Sequence, residues 1–305
     1  MLPWLRLVRL PNLATAAADS LAGYLVVSGL QAVQWPPAAC WLAVLASLAF
    51  YAAGMVLNDV YDVAIDRAER PERPLPSGAI PVGRAAAIGN LLMAVGAVAA
   101  CGAAFVANTP WPAFVGAALT AAIWLYDRHA KATPLGPAVM GACRGLNWLL
   151  GMTAAGGPTA LHQWAIPLGM AIYVAGITLF ARDEAGRSRR GTLVAGAVTM
   201  AAGLAVAAGF VWLPWREGIV LVATLPAPTW LLLWGILSAS VVLRAIQAVA
   251  SPSIPRVRAA VGNAIMAIIT LDAVLVLAAC GERWAVVVIC LLAWFLLGRR
   301  LVPPT

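Results

Sequence analysis

The chain has 305 residues, of which 63% are hydrophobic and only 10% are charged, and its mean hydropathy is +0.89. These proportions exclude an ordinary soluble domain, which carries about 25% charged residues. The net charge of +8 would suggest a nucleic-acid partner in a soluble chain. In a membrane protein, however, basic residues collect in cytoplasmic loops, so no nucleic-acid partner is expected.

Ten apolar runs separated by Pro, Gly and charged breakers follow one another along the chain. They occupy 12–30, 38–57, 84–106, 110–126, 136–154, 163–181, 191–211, 228–249, 259–279 and 284–298. A membrane-crossing helix needs about 20 residues, and the last run is short for that. The pattern therefore predicts an all-α membrane bundle of nine or ten transmembrane helices, forming one domain over residues 1–305.

The basic residues indicate how this bundle is oriented. If the N-terminus is cytoplasmic, 17 of the 20 Lys and Arg residues fall on the cytoplasmic side, and only Arg216 and Arg283 fall on the other. Arg144 alone lies within a span. By the positive-inside rule, this bias predicts a multi-pass protein of the cell (inner) membrane with a cytoplasmic N-terminus.

The most informative stretch is residues 58–78, which begin Asn-Asp-Val-Tyr-Asp. Asp59, Asp62 and Asp66 have the spacing i, i+3, i+7, which places them on one face of a helix. Carboxylates so close repel one another, and a divalent cation removes that cost. Mg²⁺ binds such oxygen ligands together with substrate phosphates, so the motif predicts a Mg²⁺–diphosphate site.

Two arginines and a proline-rich turn follow the acidic residues. Arg70 and Arg73 can hold phosphate oxygens through two hydrogen bonds each. The turn Pro74-Leu-Pro-Ser-Gly78 ends the helix and is expected to fold the loop back over the mouth of the bundle. An ordinary solvated helix end is the alternative interpretation, but it does not account for the whole 21-residue pattern.

Residues 58–78 resemble the first aspartate-rich motif of the UbiA superfamily of intramembrane prenyltransferases. Arg9-Leu-Pro-Asn12 resembles the start of that family's first helix, and Tyr126 with Lys131 resembles its Y-x-x-x-K region. The loop looks most like lipid-type or quinone-type members. The likeness extends over nearly the whole chain, although only residues 58–78 are highly specific.

This resemblance implies transfer of an isoprenyl group from an allylic prenyl diphosphate to a small aromatic or lipid acceptor at the cytoplasmic face. Asp59 and Asp62 would be catalytic, and Asp59, Asp62 and Asp66 would bind Mg²⁺. The residues implied to bind the diphosphate or support the site are Asn12, Asn58, Arg70, Arg73, Arg128 and Lys131. Metal and basic side chains would neutralise the leaving group, while an apolar cavity shelters the carbocation.

The family's second acidic motif is incomplete in this chain. Asp183 and Glu184 are neighbours, so they point about 100° apart on a helix. They therefore cannot share one helix face as Asp59, Asp62 and Asp66 do. Arg187 stands about where the last Asp would be. We expect Asp183 to serve a second metal or the acceptor, and Arg187 to act as a diphosphate clamp or as a topological anchor. This reduced motif is similar to that of divergent UbiA-like proteins from small bacterial biosynthetic clusters.

Three charged residues fall inside predicted spans, where charges are costly and often functional. Arg144 and Asn147 could face the cavity and bind an anionic group of the acceptor or the diphosphate. The alternative is an internal ion pair of Arg144 with Asp19 or Asp272 that holds helices together.

Two other functions are alternatives to prenyl transfer. A non-catalytic membrane carrier or scaffold for an isoprenoid or a secondary metabolite is favoured by the reduced second motif and by the lack of an obvious general base. A CDP-alcohol phosphatidyltransferase needs Asp-Gly at the second Asp of its motif, but Val63 follows Asp62. The second alternative is therefore excluded.

Overall fold

The computed structural model describes residues 2–29, 35–182, 190–218 and 225–302, and within these ranges the chain contains helices and no strand. The helices are α1 (Leu2–Leu7), α2 (Leu10–Ser28), α3 (Ala38–Glu69), α4 (Val82–Val106), α5 (Trp111–Leu125), α6 (Gly136–Ala154), α7 (Leu161–Ala181), α8 (Arg190–Arg216), α9 (Ala227–Ala250), α10 (Ile254–Cys280), α11 (Glu282–Ile289) and α12 (Leu291–Leu301). A π-helical turn, Tyr126–Ala130, joins α5 to the loop before α6.

In the described residues each predicted apolar run coincides with helix, but the ends of some helices differ from the prediction. The main difference is α3, which continues to Glu69. It therefore carries Asp59, Asp62 and Asp66, called the acidic stripe here, on one regular helix. The last run is interrupted at Cys290 and forms two helices, α11 and α12. The short α1 was not predicted, because its six residues are too few to show a helical period.

Within the described ranges, seven helical segments are long and apolar enough to cross a membrane. They are α3, α4, α7, α8, α9, α10 and the segment Glu282–Leu301. Of the other three predicted spans, α5 has only 15 residues, whereas α2 and α6 carry the polar residues Asp19, Arg144 and Asn147. The exact number of nine or ten crossings therefore stays a prediction.

Helix α2 is central to the bundle and packs against α3, α6, α10 and α12. Its contact with α6 is very close, because a Cβ atom built on Gly151 would lie 1.9 Å from the carbonyl oxygen of Ser20. No side chain fits in that space. The contact holds α2 and α6 at the short distance that the ion pair between them requires.

Gly151→Ala is therefore expected to destabilise the bundle by about 1–3 kcal/mol, since the added methyl group must push the two backbones apart. Equilibrium unfolding in mixed detergent–SDS micelles would measure this. Gly235→Ala on α9 is the matched control, because a Cβ atom at Gly235 meets nothing within 4 Å. Equal stability of the two variants would contradict the close packing of α2 on α6.

Candidate active site

The junction of α1 and α2 presents an arginine to the acidic stripe. Arg9 has φ of 50° and ψ of 54°, a left-handed conformation that turns the chain between the two helices. Pro11 in the first turn of α2 lacks an N–H group that would otherwise need a partner there. Arg9 Nη2 then lies 3.5 Å from Asp59 Oδ1.

The proline-rich turn folds back onto α3, as predicted. Leu75 and Ile80 are buried and form a small apolar cluster with Val56 of α3. This packing buries Arg73, whose Nη1 lies 2.8 Å from Asp66 Oδ2 and 3.8 Å from Asp59 Oδ1. Arg73 therefore bridges two carboxylates two helical turns apart.

The π-helical turn places a third basic side chain, that of Lys131, beside the acidic stripe. Tyr126 and Lys131 are five positions apart, one more than in the Y-x-x-x-K pattern. The backbone N–H of Lys131 donates to the carbonyl of Tyr126 at 3.1 Å, an i→i+5 bond that absorbs the extra residue. Lys131 Nζ lies 2.5 Å from Asp62 Oδ1.

The carboxylates fit a metal held jointly with a diphosphate better than a bare ion. Each of Asp59, Asp62 and Asp66 has a basic partner, and in the described part of the chain no three acidic, His or Cys side chains converge as a ready-made metal site. The donors are nevertheless carboxylate oxygens, the hard ligands that Mg²⁺ prefers. A diphosphate would give the basic side chains a new partner and leave the carboxylates for the metal.

A central cavity of about 480 Å³ opens beside these groups. Its mouth is lined by Arg9, Asp127 and Lys131, and apolar side chains such as Phe50 and Ile268 line its interior. This arrangement suits a ligand with an anionic head and a hydrocarbon tail.

A second cavity, of about 1000 Å³, lies beside the first and is called the basic cavity here. Arg70 and Arg73 line it together with residues of α1, α10 and α12. The central and basic cavities share the lining residues Arg9, Asn12, Val261 and Ile265. They therefore meet at the start of α2.

A buried ion pair lies at the inner part of the central cavity. Arg144 Nη1 is 2.8 Å from Asp19 Oδ2, and Asn147 Nδ2 donates to the same oxygen at 2.9 Å. Asp272 is completely buried beside them, and neither of its oxygens has a hydrogen-bond partner among the described residues. The structure thus shows the internal pair, while Arg144 and Asn147 also line the cavity.

Asp127 was missed by the sequence analysis. It is 4% exposed, lies just beyond α5, and accepts a hydrogen bond from Asn58 Nδ2 at 3.0 Å. Its other oxygen, Oδ2, has no hydrogen-bond partner within the described ranges. Burial raises the pKa of Asp127 to about 6, although Asn58 and Lys131 oppose the shift. An acid directly after the motif tyrosine was the only sequence signal for it.

Asp127→Asn is expected to stabilise the protein at pH 7.5 by about 2–3 kcal/mol, because the variant needs no buried charge. The raised pKa means that the folded wild type binds a proton more tightly than the unfolded chain. The wild type therefore gains stability relative to the variant as the pH falls through 6. The difference in their free energies of unfolding disappears near pH 4. Unfolding of both proteins between pH 4 and 8 would measure this, and a pH-independent difference would contradict it.

The structure does not bring every predicted residue to the site. The Arg128 guanidinium lies over the Trp124 ring, 4.9 Å from its centroid, and lines neither cavity. Asp183 and Arg187 lie outside the described residues. The predicted roles of these three residues stay predictions.

Comparisons of the sequence and of the structure with known proteins point to the same family. The model of the UbiA prenyltransferase family matches residues 20–259. Digeranylgeranylglyceryl phosphate synthase of Metallosphaera sedula is 41% identical over 98 residues, which are 32% of this chain and 34% of that protein. The synthase of the same name from Natronomonas pharaonis is 31% identical over 156 residues, 50% of this chain and 53% of that protein. The matches thus span about a third to a half of these curated relatives.

Solved structures share the fold over most of the chain. A structure of digeranylgeranylglyceryl phosphate synthase has a TM-score of 0.65 at 20% identity, covering 92% of this chain and 98% of that one. An Aeropyrum pernix UbiA homolog has a TM-score of 0.62 at 18% identity, covering 88% and 96%. An Archaeoglobus fulgidus UbiA homolog bound to GPP and Mg²⁺ has a TM-score of 0.57 at 13% identity, covering 89% and 99%. Since the family model matches well over half of the sequence, the chain belongs to the UbiA prenyltransferase family.

Proposed function

We propose that the protein transfers an isoprenyl group from an allylic prenyl diphosphate to a small lipid or aromatic acceptor at the cytoplasmic face of the membrane. The observation that carries this proposal is the acidic stripe of α3. Its three carboxylates contact Arg9, Arg73 and Lys131 beside an apolar cavity. Few ligands besides a metal-bound diphosphate with a hydrocarbon tail match both the charged groups and the apolar cavity of this site.

In this proposal Asp59, Asp62 and Asp66 would hold Mg²⁺, and Arg73 bridges Asp59 and Asp66. The metal would neutralise charge that develops on the diphosphate as the allylic C–O bond breaks. Arg9, Arg73 and Lys131 are already placed around the stripe and would bind the phosphate oxygens. Fixed charges of this kind stabilise a leaving group without reorganisation at the moment of reaction.

The central cavity would hold the prenyl tail and protect the allylic cation. Phe50, Leu119, Ile123 and Ile268 supply apolar walls, which keep water from capturing the cation. The acceptor oxygen or carbon then attacks the allylic carbon, and a proton must leave the acceptor. Asp127 Oδ2 is the carboxylate oxygen at the mouth that is placed to accept it, since it has no hydrogen-bond partner in the described structure.

The relatives' names favour a lipid acceptor over an aromatic one, because those proteins are called digeranylgeranylglyceryl phosphate synthases. One of the two arguments for a non-catalytic carrier was the lack of an obvious general base. Asp127 is a candidate for that base and weakens this argument. The other argument is the reduced second acidic motif at residues 183–189. The assay of donor turnover decides between the enzyme and the carrier.

Donor turnover tests the proposal directly. The detergent-purified protein would receive geranylgeranyl or farnesyl diphosphate with Mg²⁺, and diphosphate release would be followed with and without a membrane extract. The double variant Asp59→Asn/Asp62→Asn serves as the blank. Release above the blank, with label moving into a lipid product, supports prenyl transfer. Donor binding without release would instead favour the carrier.

Reporter fusions test the proposed orientation in the inner membrane. With ten crossings and a cytoplasmic N-terminus, a fluorescent protein fused after Thr305 is expected to fluoresce, and alkaline phosphatase at the same position is expected to be inactive. The physical reason is the accumulation of arginines on one side of the bundle. The opposite pattern would require nine crossings or an inverted orientation. An N-terminal fusion distinguishes those two outcomes.

A further inference from the structure

Two carboxyl groups share one basic partner in the middle of the bundle. Asp19 Oδ2 accepts from Arg144 Nη1 at 2.8 Å and from Asn147 Nδ2 at 2.9 Å. Asp272 of α10 lies within hydrogen-bonding reach of Asp19, and both aspartates are completely buried. If both were ionised, the group would carry one uncompensated negative charge. Such a charge is very costly in a buried site, so a further positive charge must belong to it.

The unpaired oxygen atoms indicate where this charge belongs. Asp19 Oδ1 and both oxygens of Asp272 have no hydrogen-bond partner among the described residues. Ionised carboxylates only accept hydrogen bonds, so neither aspartate can donate to the other in that form. A proton on Asp272 supplies the missing donor. The hydrogen bond that then forms gives a partner to one oxygen of each aspartate.

The packing around the two aspartates favours a proton over a metal cation. Neither Asp19 nor Asp272 lines the central or the basic cavity. Directly after Asp19, the backbone of Ser20 is so close to α6 that a Cβ atom on Gly151 would lie 1.9 Å from its carbonyl oxygen. A metal ion would need several oxygen ligands and an entry path to the site, whereas a proton needs neither.

We propose that Asp19 and Asp272 form a buried proton-binding site, in which Asp272 is the neutral acid and donates a hydrogen bond to the ionised Asp19. Asp19 is the ionised member because Arg144 and Asn147 both donate to it. The two aspartates and Arg144 together then have no net charge. Arg144 lines the central cavity, so the proton keeps this part of the cavity electrically neutral, which suits a hydrocarbon chain. The site is separate from the acidic stripe and is tested without donor or acceptor.

The titratable groups around Asp272 lie on three helices. Asp19 belongs to α2 and Arg144 to α6, while Tyr173 of α7 donates its hydroxyl to the carbonyl oxygen of Ala264 on α10 at 2.8 Å. The other helices packed on α10 are α9, α11 and α12. In the part of the chain that the structure describes, these three contribute no charged side chain that acts on Asp272. A response of Asp272 to pH therefore reports on the aspartate pair.

Infrared difference spectroscopy of the purified full-length protein tests the protonation state. The wild type and Asp272→Asn would be compared at pH 8, where Asp127, whose pKa is about 6, is ionised. We expect the wild type to show the carbonyl band of a carboxylic acid, shifted in heavy water, and the variant to lack it. Absence of this band from the wild type, or its persistence in Asp272→Asn, would overturn the proposal.

Glu282→Gln is the matched control for the spectra. Glu282 is exposed on α11 and lines neither cavity, so its replacement removes an acidic group from the surface. This variant is expected to keep the carboxylic acid band. Asp272→Asn itself is expected to fold, because its neutral amide can still donate a hydrogen bond to Asp19. Failure of Asp272→Asn to fold would show that the charge of Asp272 is required and would contradict the neutral form.

The pH dependence of stability is an independent test. The unfolded chain releases the Asp272 proton above about pH 4, whereas the folded protein retains it. The unfolding equilibrium constant of the wild type, divided by that of Asp272→Asn, is therefore expected to rise by up to about tenfold per pH unit between pH 5 and 8. Unfolding of both proteins in mixed detergent–SDS micelles measures this ratio, and the contribution of Asp127 cancels. A ratio that does not change with pH would mean that Asp272 is ionised in the folded protein, and the proposal would be wrong.

Discussion

Asp62→Asn is expected to lower Mg²⁺-dependent diphosphate release by at least about 100-fold, the cost of removing one strong electrostatic contact to a developing charge. Asp62 lies on the acidic stripe beside Lys131 and is only partly buried, and the shape-conserving asparagine keeps an oxygen that can accept a hydrogen bond from Lys131 Nζ. Turnover of farnesyl diphosphate by the purified variant, across a range of Mg²⁺ concentrations, measures the effect. A raised Mg²⁺ requirement would accompany the loss if Asp62 is a metal ligand.

Glu282→Gln provides the matched control. Glu282 is exposed in the first turn of α11 and lines neither cavity, and its replacement removes the same charge. Its turnover is expected to equal that of the wild type. Asp62→Asn should also unfold at the wild-type temperature, which separates loss of chemistry from loss of structure. Wild-type turnover in Asp62→Asn would contradict the assignment of the stripe as the metal site.

Arg144→Met is expected to destabilise the bundle by about 3–5 kcal/mol, because it leaves buried carboxylates without a cation. Asp19 accepts from both Arg144 and Asn147, and Asp272 is completely buried next to this group. The methionine keeps most of the volume of the arginine stem, so the effect comes from charge. Equilibrium unfolding in mixed micelles would give the free energy.

A double-mutant cycle makes this prediction specific to the pair. Asp19→Asn/Arg144→Met removes both charges and is expected to recover about 1–3 kcal/mol relative to Arg144→Met alone. Arg244→Met, at an exposed position on α9, is the control for general loss of an arginine and should have little effect. Strict additivity of Asp19→Asn and Arg144→Met would mean that the ion pair contributes nothing to the bundle.

The pair also illustrates how stability and function are joined in this protein. Arg144 and Asn147 line the central cavity and simultaneously attach α6 to α2. Because Gly151 allows the two backbones to approach, the polar contact can form within the bundle. Substitutions at these positions are therefore expected to change unfolding and acceptor use together, unlike substitutions at Asp62.

Much of the molecule was predictable from local sequence. Apolar runs of span length have few alternatives in a bilayer, where each backbone group must be paired within a helix, so all ten runs are helical. The i, i+3, i+7 spacing likewise places Asp59, Asp62 and Asp66 on one face wherever the helix ends. The turn after Arg73 was predictable because Pro74 and Pro76, only two positions apart, cannot continue a helix.

Other features depended on contacts between residues far apart in the chain. The pairing of Arg144 with Asp19 and not Asp272 depends on the approach of α2 to α6, and the burial of Asp127 depends on a π-helical turn next to Asn58. Arg258 and Arg299 join the basic cavity because α10 and α12, which carry them, both pack on α2. Sequence periodicity determined the helices and the acidic stripe, since these are local. Tertiary packing decided which charges meet, because a charge pairs with whatever group the folded chain brings within a few ångströms.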